Sequence, residues 1–469
     1  MKRKKRIAEL NDCSFVVLLP ITNLFKKDTL LKNITRLIPL MIFAFSCGHV
    51  SKNEANGNAT AQAALTSAVN PAPPKVSPYF DKVKEFVDTK FGSGLNGGIL
   101  VAKDGEIIYE KYSGFANPHN HADSIGANTP IHLASVSKTF TAMAVCKLWE
   151  EGKVNIDDSV GRYLPGFPCQ GVTVKMLLDH RSGIPKYDHY MGTMGWDKHK
   201  PVTNQDVLDF LIAKRKQIPI GRPDRGFSYS NTNYALLALL IEKVTGKFYG
   251  DYLKETFFDS IGMKNTYVFT NAYANHYLPS YFNNGRLYPL DFLDYVYGDK
   301  NIYSTPRDLM KWDEALRSGR FFKKETLEAA YTPYSNEKAG THNYGLGWRM
   351  YVLKNGKKLI YHNGWWHGNR TSFYRLIDEH ATIIALCNND SKKIYSVREM
   401  ADIFGDYMQG KNEDEDNDQV VRHVPKQRAA VARSSSRKRT VTSLASSKTA
   451  SKKKVKGRRS TSTSYSAKK

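Results

Sequence analysis

The sequence predicts an α/β domain of the α+β kind: one antiparallel sheet flanked by helices, with a mainly helical region inserted between its strands. Apolar, β-rich runs over 98–102 and 106–110 flank Lys103-Asp104-Gly105, a hairpin whose turn favours positive φ. Three more such runs, 359–364, 371–377 and 382–388, crowd the far end of the body. Helical spacing dominates between these two groups, and no repeat period appears. Strands at both ends with helices between them imply a sheet closed by the two ends of the body.

Each element has its own signal. From Tyr79 to Lys90, Phe80, Val83 and Val87 recur at helical spacing. The hairpin follows. A helix is predicted from about Ser135 to Glu150 and another from Asn231 to Val244, stopped by Gly246. Pro306 opens a helix that runs to Leu316. The three late strands then complete the sheet.

Charge separates this body from its flanks. The 469 residues carry a formal net charge of +24, of which residues 1–50 supply +6 and residues 419–469 supply +16. Residues 51–418 are left with +2, so the basic excess says little about the chemistry of the body. With 41% hydrophobic and 12% aromatic residues, disordered and collagen-like chains are excluded. Five scattered cysteines and no CxxC pair give neither a disulfide framework nor a zinc site.

The ends divide the chain further. Residues 1–47 have the layout of an export signal, with apolar stretches at 14–25 and 37–46, each too short to span a membrane. Ala44-Phe45-Ser46-Cys47 resembles a lipoprotein cleavage site, with Cys47 the candidate lipidation residue; a plain membrane-anchoring N-terminus is the other reading. Residues 48–76 are a flexible tether, and 77–408 form the globular body. Residues 409–469 are an acidic and then basic tail, with sixteen Lys/Arg and sixteen Ser/Thr after position 418, expected to stay disordered. Adhesion to polyanions or a merely solvated tail are both open for it, but base-specific recognition is not expected. The expected place is the cell envelope, periplasmic or anchored as a lipoprotein, and the expected state a monomer.

The sharpest chemical feature is Ser135-Val136-Ser137-Lys138 at a helix start. Residues three apart share a helical face, so Lys138 can take the proton that makes the weakly nucleophilic Ser135 reactive, provided that burial and the helix terminus keep the lysine uncharged. The same helix start aims backbone N–H groups at an oxyanion. Tyr229-Ser230-Asn231 precedes the next strong helix: Tyr229 is a proton relay or a core tyrosine, and Asn231 a substrate ligand or an N-cap. His362-Asn363-Gly364 lies on a late strand, where glycine permits close approach of a substrate backbone. His119, His121 and Asp123 suggest a surface loop rather than a metal site, and His180 a structural turn rather than a base. No G-x-S-x-G elbow, P-loop or dinucleotide fingerprint occurs.

In this order and spacing the three motifs resemble those of the serine β-lactamase and penicillin-binding-protein superfamily, above all its class C-like branch of β-lactamases, D,D-peptidases, D-aminopeptidases and esterases. Leu177-Leu178-Asp179-His180-Arg181-Ser182-Gly183, Tyr303-Ser304-Thr305-Pro306 and Tyr344-Gly345-Leu346-Gly347-Trp348 extend the likeness, which covers roughly 77–408. The resemblance implies a β-lactamase/transpeptidase-like fold. It implies Ser135, Lys138 and Tyr229 as catalytic residues and Asn231, His362, Asn363 and Gly364 as substrate-binding. The N–H groups of Ser135 and Trp365 would form the oxyanion hole. No cofactor or metal is implied, and the substrate is a small molecule or a peptidoglycan-like peptide.

Two departures sharpen this. Tyr-x-Asn points away from class A enzymes, and histidine at 362, where the Lys-Thr-Gly form of the third motif has lysine, weakens a fixed positive charge. Trp365 and Trp366 should crowd one wall of the cleft, so poor β-lactam turnover is expected. D,D-peptidase, D-aminopeptidase and esterase activities stay open beside a class C-like β-lactamase. A non-catalytic envelope-binding protein of the same fold is the rival from another class.

Overall fold

The structure is a computed structural model that describes residues 77–119, 121 and 123–409. The export segment with Cys47, the tether to residue 76 and the tail from residue 410 lie outside the described residues. Helix α1 (Phe80–Phe91) leads into β1 (Gly97–Lys103) and β2 (Glu106–Ser113). Asp104 and Gly105 both take positive φ, at 54° and 82°, so the hairpin turns as the sequence predicts.

The middle of the chain carries β3 (Ile131–His132), α2 (Ser137–Glu150), α3 (Asn204–Ala213), α4 (Asn231–Thr245), β4 (Tyr267–Val268), β5 (Ile302–Ser304) and α5 (Pro306–Arg317). The far end supplies β6 (His342–Tyr344), β7 (Arg349–Val352), β8 (Lys358–Trp366), β9 (Asn369–Leu376) and β10 (Ala381–Cys387). Seven strands form one sheet in the order β2-β1-β10-β9-β8-β7-β6. Its pairings are antiparallel, and β1 meets β10 in register from Gly97 opposite Cys387 to Lys103 opposite Ala381. The expected sheet closed by the two ends of the body is therefore present.

The inserted region holds one element that the helical pattern conceals. Strands β3, β5 and β4 form a separate small sheet in that order. Each is two or three residues long, too short for an alternation to register against the helices around it.

Both faces of the large sheet are covered, and alternate residues divide between two cores. Leu100, Ile384 and Leu386 face the helical region with α2 and α4, whereas Ile99, Val101, Ile383 and Ala385 pack against Val83, Val87 and Phe91 of α1. Helix α2 runs through the first core with eleven of its residues buried, Lys138 among them. A helix enclosed on most sides gives its polar side chains no water, so they must find partners inside the protein.

Candidate active site

Ser135 sits in a tight 3₁₀ turn, Ala134–Val136, ahead of α2 rather than within it. Ala134 is held at φ 49°, a left-handed conformation that costs an alanine of order 1 kcal/mol or more and persists only where its surroundings impose it. The surroundings are specific. Leu133 N donates to Ile302 O at 2.8 Å, Thr371 Oγ1 donates to Leu133 O at 2.7 Å, and Ala134 N donates to His132 Nδ1 at 3.1 Å. Because Nδ1 of His132 accepts, its Nε2 carries the proton to Asn301 Oδ1 at 3.0 Å. Burial pushes the His132 pKa down to about 4, so the ring stays neutral in this role.

Lys138 is fully buried beneath this turn. Its Nζ lies 3.1 Å from Ser135 Oγ, 2.9 Å from Asn231 Oδ1 and 2.7 Å from the backbone oxygen of Asp299. Three neutral oxygen atoms thus surround the amine, and when Lys138 is uncharged the Ser135 hydroxyl can donate to it. Asn231 is fixed in turn, since its Nδ2 donates to Asp188 Oδ1 at 3.3 Å. It occupies the first turn of α4 behind the extended Ser230, so Asn231 is a ligand of Lys138 and Ser230 takes the cap position.

Tyr229 joins the group from the segment before α4. The centre of its ring is 4.9 Å from Lys138 Nζ, 4.9 Å from the Arg349 guanidinium and 5.4 Å from Lys186 Nζ. His362 faces the same space, with ring centres 6.3 Å apart. Its Nδ1 lies 2.7 Å from Asn363 O, an acceptor only, so Nδ1 carries the proton and Nε2 accepts from Tyr344 OH at 3.2 Å. Burial, and then the charges of Arg349 and Lys138, hold His362 well below the ordinary histidine range. It stays a neutral group in the site at neutral pH, as the weakened charge expected from the sequence requires.

The pleat of β8 sorts the third motif onto two faces. His362 and Gly364 face the nucleophile turn: a Cβ on Gly364 would lie 2.5 Å from Leu133 O and 3.0 Å from Ala134 Cβ. Asn363 turns to the other face, where its Nδ2 donates to Tyr374 OH at 3.1 Å, so its side chain is not brought to Ser135. Trp365 follows it. Its indole is 49% exposed and stacked on Arg370 at 4.3 Å, which corrects the expectation that it crowds the cleft. The backbone of Trp365, next to Gly364, is what β8 brings alongside the turn. Trp366 is the indole on the inner side, anchored by Nε1 to Asp294 Oδ1 at 2.6 Å.

Tyr344, Arg349 and the Asp299 carbonyl also belong to the site, and the sequence alone does not point to them. The first two belong to β6 and β7 and line a groove of about 900 Å³ together with Phe227, Glu337 and Tyr361. Of the two, only Tyr344 lies in a family-like segment that could draw attention to it. A backbone oxygen leaves no mark in a sequence.

Asp291, Asp294 and His367 bring ligand atoms within 4.8 Å of one another. Both Asp294 oxygens already lie 3.0 Å from His367 Nε2, and one takes the Trp366 indole, so the group serves as a hydrogen-bonded cluster fastening the turn after β8. His119, His121 and Asp123 are exposed, as a surface loop should be.

A buried SxxK pair under an antiparallel sheet, with Tyr-x-Asn and a third motif on β8, defines a serine hydrolase of the β-lactamase-related class. The chain belongs to the Beta-lactamase family, whose profile matches residues 83–402. A penicillin-binding protein of Bacillus subtilis (strain 168) is 34% identical over 317 residues, covering 64% of this chain and 70% of the relative. A second from that organism is 30% identical over 260 residues, covering 54% of this chain and 62% of the relative. Among solved structures, the octameric penicillin-binding protein homologue from Pyrococcus abyssi aligns with a TM-score of 0.59 at 27% identity, over 68% of this chain and 76% of that one. The D-amino acid amidase from Ochrobactrum anthropi SV3 shares the fold, with a TM-score of 0.57 at 24% identity over 70% and 97% of the two chains.

Proposed function

We propose that the chain is an exported hydrolase that forms an acyl-enzyme on Ser135 and cleaves the amide bond of a D-amino-acid-containing peptide or amide. The observation that carries the reading is the 3.1 Å approach of Lys138 Nζ to Ser135 Oγ in a buried site. Uncharged Lys138 accepts the serine proton as Oγ attacks the carbonyl carbon, and the N–H groups of Ser135 and Trp365 receive the oxyanion. Tyr229, among three cations, passes that proton to the leaving nitrogen as the C–N bond breaks. Water then attacks the ester through the same groups and frees Ser135. Asn231 holds Lys138 in place, and Arg349 supplies the positive charge that neutral His362 does not. The names of the relatives support a peptidoglycan-like substrate and a place in the cell envelope; the N-terminal segment as export signal or lipid anchor through Cys47, and the basic tail as a polyanion-adhering or merely solvated segment, rest on the sequence alone. Among the described residues, no helix is long and apolar enough to cross a membrane.

The test combines a fluorophosphonate probe, read by mass spectrometry, with a panel of muropeptides, D-amino-acid amides, short-chain esters and a chromogenic cephalosporin. Label on Ser135 and turnover of a D-amide or muropeptide are expected, with slow cephalosporin turnover. Label that persists in Ser135→Ala would overturn the acyl-enzyme. Turnover confined to esters would overturn the amide substrate.

A further inference from the structure

His180 is a buried histidine beside the site that this mechanism does not use. It is fully buried against Tyr234 of α4 at φ 60°, a left-handed conformation that only a few side chains accept. That geometry turns both its carbonyl and its ring toward the segment carrying Tyr229. Ser228 N donates to His180 O at 2.9 Å, and Ser230 N donates to His180 Nδ1 at 3.2 Å. The residues on either side of Tyr229 are therefore tied to one histidine. Asn233 Nδ2, one turn into α4, lies 3.2 Å from the same Nδ1. The His180 ring is packed against that of Tyr229, with centres 4.3 Å apart.

We propose that His180 is a positioning residue for Tyr229: a neutral imidazole whose unprotonated Nδ1 holds the Ser228–Ser230 segment and whose face fixes the phenol ring. The proposal rests on the proton-relay role given to Tyr229 above. With a backbone N–H and an amide N–H aimed at Nδ1, the proton of the neutral ring belongs on Nε2. Nε2 is buried with no hydrogen-bond partner among the described residues, enclosed by the rings of Tyr229, Tyr234 and Tyr344. An imidazolium would place a third hydrogen against the two donors and break both bonds. The groups facing the ring oppose it as well. Burial, then Lys138, Arg349, His362 and Lys186, hold His180 well below the ordinary histidine range. The enclosed Nε2–H is the cost of presenting Nδ1 as an acceptor at this point.

Two variants and one measurement on the unmodified protein test this. His180→Phe keeps a ring and removes the acceptor. His180→Asn places Oδ1 where Nδ1 stood and tolerates the left-handed backbone. For the D-amide or ester turned over fastest, the phenylalanine variant is expected to lose about 100-fold in kcat with KM within about threefold, because a displaced relay costs rate rather than binding. The asparagine variant should return to within about fivefold of wild type. Unchanged kcat in His180→Phe, or both variants falling equally, would overturn the assignment. Nitrogen NMR of histidine-labelled wild-type protein, which needs no variant to fold, should show an Nε2-protonated His180 unchanged from about pH 8 to about 5.5, across the ordinary histidine range. The opposite tautomer, or a titration near the ordinary value of about 6.5, would overturn it too. Failure of wild type to label at Ser135 would instead count against the hydrolase reading, while the NMR result would still decide the geometry of His180.

Discussion

Replacing Gly364 by alanine probes how closely β8 is fitted to the nucleophile. A Cβ there would meet Thr371 Oγ1 at 2.2 Å, Leu133 O at 2.5 Å and Ala134 Cβ at 3.0 Å. Ordinary contact begins near 3.4 Å, so Leu133 O must recede by about 0.9 Å. The Thr371 side chain cannot rotate away freely, since its hydroxyl is bonded to that same oxygen. The displacement therefore falls on the Leu133–Ala134 backbone, immediately ahead of Ser135, which Lys138 meets at 3.1 Å. Overpacking of this size costs about 1–3 kcal/mol of stability. A shift approaching 1 Å at the reacting atom costs about 100-fold in rate. Gly364→Ala should thus melt a few degrees below wild type and label at Ser135 about 100-fold more slowly, measured by thermal denaturation and fluorophosphonate kinetics on the folded protein. Wild-type labelling with an unchanged melting temperature would refute the reasoning. It would show that the turn holding Ser135 is free to yield.

Acid acts on the fold in two opposed ways. His132, His180 and His362 are neutral inside the protein and protonate near pH 6.5 once unfolded, so the stability they contribute is present above that pH and lost as pH falls. Asp179, pushed up to about 7 by burial, and Asp291, Asp299 and Glu314, also raised by burial, act in the opposite sense. Proton uptake by the histidines and release by these carboxyls oppose each other near pH 5, so the slope of urea-derived stability between about pH 6 and about pH 5 should stay well below the about 4 kcal/mol per pH unit that three histidines alone would give, and a slope that steep would contradict this. Asp313→Asn should destabilise by about 3–5 kcal/mol in urea titrations, because Arg375, buried beside it, loses its counter-charge. Glu337 Oε1 accepts from Phe227 N at 2.8 Å and pairs with Arg181, which ties the rim of the groove to the segment before Tyr229. Glu337→Ala is expected to raise KM about fivefold, on the order of 1 kcal/mol, with a smaller effect on kcat.

What can be read in advance follows the physics of each feature. The hairpin at Asp104-Gly105, the long helix from Asn231 and the three late strands announce themselves through local turn chemistry and periodicity. Ser135 and Lys138 are legible because a fixed spacing on one helical turn is itself a local property. The Lys138–Asn231 contact spans 93 residues, and Asp299 O lies 161 residues from Lys138; such meetings are set by packing and have no local signature. The face taken by Asn363 is hidden for a related reason. A strand's alternation says that neighbours point apart, but not which of them faces the core until the register is known. His180 reads as a turn residue in the sequence, and its backbone does take a turn conformation; the bonds from Ser228 and Ser230 to it join segments about fifty residues apart.

The pairing of β1 with β10 carries a consequence for how the molecule comes into being. Residues about 280 apart lie side by side within the sheet, so the first strand made waits for the last. A nascent or truncated chain that stops short of residue 381 leaves the inner edge of β1 without a partner, open to strands of other chains. Assembly must then follow completion of the chain rather than accompany its synthesis. Under the export reading proposed above, that delay would keep the sheet unclosed until the final strand has been delivered.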